Sequence, residues 1–351
     1  MTPSDRDGSA RRSPLASSSH PPAPSSSPPR PTLSLVPRSA NPPKPHYSPL
    51  ALWHLLSLDA PSVAALWTFA IAHALGLHLP WTEPAAMFLA VWMLYAADRI
   101  LDARILDARI LDTPPLPAAH ALPDLQDRHR FHHRHRRAFF LTIVFAALAL
   151  AALLHTLDPR ALHLYALLAT LLGVWLLLIH ARPIPAADTH RLPKELAVGI
   201  FFPAAVFIPT VARLPQLRLD LLPVALLLAA VCTLNCLFLY AWEHPGARPH
   251  AHWTTRWLTS HLVTLSLFIA LASAAVLIIS LRSPNPLPSP HTLAASALLA
   301  SCTLLSALLL LLLHELRHHL KPVHLRALAD LVLLTPALIL PLAALLTTPT
   351  R

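Results

Sequence analysis

Asp98 and Asp102 stand four residues apart in Tyr95-Ala-Ala-Asp98-Arg99-Ile-Leu-Asp102-Ala-Arg104, where a long apolar run (Ala85 to Ala97) ends. On a helix this spacing puts both carboxylates on one face, offset by about 40° and about 6 Å of rise. A carboxylate at membrane depth costs on the order of 3 kcal/mol, so it turns towards a partner, a cavity or an ion. Two on one face suit a hard cation. The alternative is a pair satisfied by Arg99 and interfacial water.

Other polar groups interrupt the apolar sequence at telling places. Asn235 and Glu243 are eight residues apart and share a helical face, and an Asn in apolar surroundings needs a partner. Lys194-Glu195 follows Arg182 and Arg191 and opens an apolar run; its cation suits an anionic substrate, or an anchor at the membrane boundary. His314-Glu315-Leu316-Arg317-His318 matches H-E-x-x-H, which on a helix aligns two imidazoles for zinc with Glu as base. No third ligand stands at a telling spacing. His129-Arg-Phe-His-His-Arg-His-Arg-Arg137 reads as a solvated basic loop near anionic lipid, with metal or phosphate as the other option. Arg326 and Asp330, one turn apart, read as a structural ion pair. The pentad repeat ILDAR-ILDAR-ILD, from Ile100 to Asp112, reads as a tandem duplication that lengthens its helix.

The elements that position these residues are apolar helices. The 351 residues are 55% hydrophobic and only 13% charged, which excludes an ordinary soluble domain. The net charge of +10 then points to anionic lipid rather than nucleic acid. Three cysteines form neither a disulfide framework nor a CxxC motif. Residues 1 to about 47 are a Ser/Pro/Arg-rich segment expected to be disordered and cytoplasmic, and 48–351 are expected to form one transmembrane domain. The runs 59–79, 84–103, 138–157, 160–180, 193–212, 219–242, 257–281, 291–314 and 324–347 predict nine spanning helices of all-α fold. With the N-terminus inside, 22 of the 27 Lys and Arg lie on the cytoplasmic side. Asp98, Asp102, Lys194 and Glu243 are then expected at the cytoplasmic face. The Arg-rich composition hints at a GC-rich bacterium, hence a bacterial inner membrane.

Nine predicted spans, Tyr95-x-x-Asp98-Arg99-x-x-Asp102 at the end of span 2, Lys194 opening span 5 and Asn235 to Glu243 closing span 6 resemble the UbiA superfamily of intramembrane prenyltransferases. The resemblance covers about residues 50–347. It implies nine helices around a central cavity open to lipid. It also implies Mg²⁺-dependent transfer of a prenyl group from a prenyl diphosphate to a lipophilic acceptor. Asp98 and Asp102 would be catalytic and hold Mg²⁺ with Glu243, while Lys194, Arg99 and Asn235 would contact the diphosphate. Leu94 stands where the first motif has Asn, and the second motif has lost carboxylates, with Leu239 at its middle position. These departures imply a weakened second metal and reduced or lost activity. Two further readings follow from the residues: a non-catalytic protein on the same scaffold that binds lipid or a partner, and a zinc protease through His314, Glu315 and His318.

Overall fold

A computed structural model of the chain describes residues 47–112, 131–132, 134–180, 194–244, 252–282 and 290–347. The expected tail up to residue 46, and His129, Arg130 and His133 of the His-rich segment, therefore lie outside the described residues. So do the side chains of the pentad repeat from Leu101 onward, Asp102 among them.

Among the described residues every regular element is helical. The helices are α1 (Pro49–Leu55), α2 (Asp59–Ala74), α3 (Thr82–Asp112), α4 (Arg136–Leu154), α5 (Pro159–His180), α6 (Lys194–Arg213), α7 (Leu222–Glu243), α8 (Trp253–Ser260), α9 (Leu262–Arg282), α10 (Pro290–Leu316), α11 (Pro322–Leu331) and α12 (Pro336–Thr347). Proline opens α1, α5, α10, α11 and α12, where its missing N–H costs nothing and its fixed φ suits the first turn. Asp158 caps α5, its Oδ1 accepting from Arg160 N at 2.8 Å.

The chain is a polytopic all-α protein, but the expected nine spans are not what the helices give. Among the described residues seven are long and apolar enough to cross a membrane, or eight if α1 and α2, bent by 88° at their junction, count as one. The difference lies in the first two expected spans. The expected first span stops at Ala74, because Gly76 adopts φ +70° and Leu77 N turns back to Ala72 O. The 16 residues of α2 alone fall short of the ~20 needed. The second expected span, 84–103, lies on α3, a continuous helix of 31 residues whose side chains are described only as far as Ile100, so it falls outside that count.

The main core lies where α2, α7 and α10 meet, and the interior there is filled by Trp67, Ile71, Leu228, Phe238 and Leu310 rather than left open. By contrast α4 and α5 are almost wholly exposed apolar cylinders, bearing Phe140, Phe145, Leu167 and Leu177 outward, as lipid contact requires. In the last span the helix breaks between α11 and α12. The freed carbonyls are met by other helices: Trp67 Nε1 donates to Leu333 O at 2.8 Å, and Ser306 Oγ to Val332 O at 3.0 Å. Interior donors of this kind let a broken helix persist where water is absent.

Close packing of α6 on α7 depends on one glycine. A Cβ on Gly199 would overlap the Thr233 hydroxyl and press on Ala229 O. Gly199→Ala is therefore expected to part the two helices and cost about 1–3 kcal/mol. A drop in the thermal midpoint of the detergent-purified chain checks this, and an unchanged midpoint would contradict the packing described.

Candidate functional site: a buried polar centre

The sharp turn between α1 and α2 organises the site. Ser57 takes φ +59°, a conformation rare for a residue with a side chain, and reverses the chain so that His54 and Asp59 meet. The His54 imidazole Nδ1–H donates to Asp59 Oδ2 at 2.6 Å, and Asp59 Oδ1 accepts from Ala60 N at 3.0 Å. Asp59 is 1% exposed and His54 4%.

The turn also frees the last carbonyls of α1, and α3 covers them. Arg99 Nη1 donates to His54 O at 2.8 Å, its Nη2 lies 3.4 Å from Asp59 Oδ2, and Trp92 Nε1 donates to Leu56 O at 3.0 Å. Arg99 is 9% exposed. A guanidinium so placed meets both a helix C-terminus and a carboxylate, the two things that stabilise a buried cation.

From the other side come α7 and α11. Asn235 Nδ2 donates to Asp330 Oδ1 at 2.9 Å. Ligand-type atoms of His54, Asp59 and Asp330 all lie within 4.8 Å of one another. Arg99, Asp59, His54, Asp330 and Asn235 thus form one continuous polar chain linking five helices. Further along the same two helices Arg326 pairs with Glu243, and His324 reaches Ser48, the N-cap of α1, at 3.0 Å. Two atoms in the chain have no hydrogen-bond partner among the described residues although both are fully enclosed: His54 Nε2 and Asn235 Oδ1.

The sequence-derived site residues divide. Arg99 and Asn235 are in the buried chain, engaged with Asp59 and Asp330. Glu243 is ion-paired with Arg326, so the expected Arg326–Asp330 pair is replaced by two others: Arg326 with Glu243, and Asp330 with Asn235. Asp98 is exposed, a consequence of Arg99 facing inward, since adjacent residues on a helix differ by about 100°. Lys194 is exposed at the start of α6, while Glu195 accepts from Thr255 Oγ1 at 3.1 Å. In H-E-x-x-H, α10 ends at Leu316, so His318 falls in a tighter turn. His314 Nδ1 accepts from Trp242 Nε1 at 3.1 Å. Among the described residues no third His, Cys, Asp or Glu converges on His314 and His318. The protease reading has no ligand set to stand on there.

His54 and Asp59 escaped the sequence reading. Asp59 opens an apolar run, and a carboxylate there carries the same cost that drew attention to Asp98.

No family model, curated protein or solved structure matches this chain. The geometry of the centre therefore carries the functional argument alone.

Proposed function

We propose that this chain is a UbiA-like intramembrane prenyltransferase, embedded in a bacterial inner membrane with its N-terminus cytoplasmic. What supports the reading is the buried chain itself: it ties α3, which carries the first candidate motif, to α7, which carries the second, through Asp59 and Asp330. Holding Arg99 inward presents the neighbouring Asp98 to the open side, where a diphosphate would arrive. In this reading Asp98 and Asp102 hold Mg²⁺, and Lys194 adds positive charge for the phosphates. Bound Mg²⁺ supplies charge neutralisation for the diphosphate that departs as the C–O bond breaks. The prenyl carbon then bonds to the acceptor, which gives up a proton. Arg99 and Asn235 act as positioning residues, because their hydrogen bonds are spent on Asp59 and Asp330.

The experiment is binding of a prenyl diphosphate to the purified full chain with Mg²⁺ and with EDTA. Expected is Mg²⁺-dependent binding that weakens at least a hundredfold in Asp98→Ala/Asp102→Ala. Binding indifferent to both EDTA and the substitutions would end the proposal.

Two observations favour a second reading, a lipid- or partner-binding protein without catalysis. The core between α2, α7 and α10 is filled by side chains, and the one carboxylate of the second motif is occupied by Arg326. Binding of prenyl diphosphate with no turnover, in the presence of lipophilic acceptors, would select it.

A further inference from the structure

The prenyltransferase reading uses the His54–Asp59–Asp330 cluster only as scaffold, yet the cluster has the composition of a ligand set. We propose that it is a second, buried metal site, taking a divalent first-row transition ion such as Mn²⁺, and that it is separate from any Mg²⁺ held by Asp98 and Asp102.

Three observations carry this. The first is donor chemistry: one imidazole and two carboxylates converge from α1, α2 and α11, with ligand-type atoms within 4.8 Å of one another. Ligands about 2.0–2.2 Å from a bound ion stand roughly 3–4 Å apart, so closure onto an ion requires only small side-chain adjustment. The mixture of nitrogen and hard oxygen favours Mn²⁺, Fe²⁺ or Zn²⁺ over Mg²⁺, which prefers oxygen alone.

The second is the pair of orphaned atoms. Asn235, 4% exposed, spends its Nδ2–H on Asp330, which leaves its geminal Oδ1 beside that carboxylate with no donor. An amide oxygen in that position is a ready fourth ligand. His54 Nε2 is likewise buried without a partner. A buried acceptor left unpaired is costly, and a cation removes the cost.

The third is the crowding of two carboxyls. Asp59 and Asp330 meet beside Arg99, whose better hydrogen bond goes to His54 O. Two buried carboxyls this close hold a proton between them unless a cation takes its place, and a divalent ion would displace that proton.

The test uses the full-length chain in detergent, stripped with a chelator and titrated with Mn²⁺. Uptake is counted from the loss of the free-ion electron paramagnetic resonance signal. Expected is one Mn²⁺ per chain, not displaced by equimolar Mg²⁺, with spin-echo modulation from an imidazole ¹⁴N. His54→Gln should abolish that modulation and weaken binding at least tenfold, as should Asp330→Asn for affinity. Asp98→Ala/Asp102→Ala should leave Mn²⁺ in place, which separates this site from the one proposed for prenyl diphosphate. The triple variant His129→Gln/His133→Gln/His135→Gln should also retain ion and modulation, and it serves if a cluster variant does not fold. The proposal is overturned by absence of stoichiometric uptake, by displacement with equimolar Mg²⁺, by modulation that persists in His54→Gln, or by loss of the ion in either control variant.

Discussion

Asp59→Ala is expected to cost about 3–5 kcal/mol, enough to bring a marginally stable protein close to unfolding. The cost comes from what the substitution strands. Arg99 is 9% exposed and would lose its carboxylate, while His54 would lose the acceptor 2.6 Å from its Nδ1. Neither can reach water, so the full desolvation penalty remains. Two companion variants separate this mechanism from simple loss of packing. Asp59→Asn keeps the acceptor for Ala60 N, replaces the one facing His54 with an amide N–H2 and removes the charge, and should fall between wild type and Asp59→Ala. Adding Arg99→Met to Asp59→Ala takes away the stranded cation and should restore part of the loss. Thermal unfolding of the four proteins in one detergent reads all of this. A midpoint in Asp59→Ala within a degree or two of wild type would contradict the buried chain.

The second large effect lies on α3 and α6, at the opposite end of α3. Arg213 holds both carboxylate oxygens of Glu83, Nη1 donating to Oε2 at 2.9 Å and Nη2 pairing with Oε1. It also donates to Pro209 O at 3.1 Å. The two partners are buried unequally: the Glu83 side chain is 2% exposed and that of Arg213 is 23%. Arg213→Ala leaves a carboxylate that cannot find water, at an expected cost of about 3–5 kcal/mol. Glu83→Ala leaves a cation that can turn outward on its flexible stem, at a smaller cost of about 1–2 kcal/mol. The asymmetry is the test, because a plain pairwise ion bond would give equal losses. Unfolding midpoints that rank Glu83→Ala below Arg213→Ala would reverse the argument.

What the sequence made legible follows from where its signals are strong. Long apolar runs are hard to mistake, and seven of the expected spans appear as apolar helices. Of the other two, the first is cut short by a glycine turn at Gly76, and the second lies on α3, whose side chains are described only as far as Ile100. The candidate site was legible in part. Arg99, Asn235 and Glu243 stood out because polar groups in apolar runs need partners, and each has one. Which partner each takes was not legible. Arg326 and Asp330 are spaced for each other along one helix, yet each pairs across to α7, because residues four apart on a helix meet only when nothing stronger faces them. His54 was invisible for a different reason. It acquires its role from a turn at Ser57, a backbone choice that side-chain periodicity does not encode.

The central claim, that the two motif-bearing helices frame one Mg²⁺-dependent diphosphate site, is tested most directly by measuring diphosphate release. Purified full-length chain in lipid nanodiscs would be given a prenyl diphosphate and a panel of lipophilic acceptors. Release that requires Mg²⁺ and falls at least a hundredfold in Asp98→Ala/Asp102→Ala is the expected result. Release at the same rate in wild type and in that variant, or in EDTA, would contradict it.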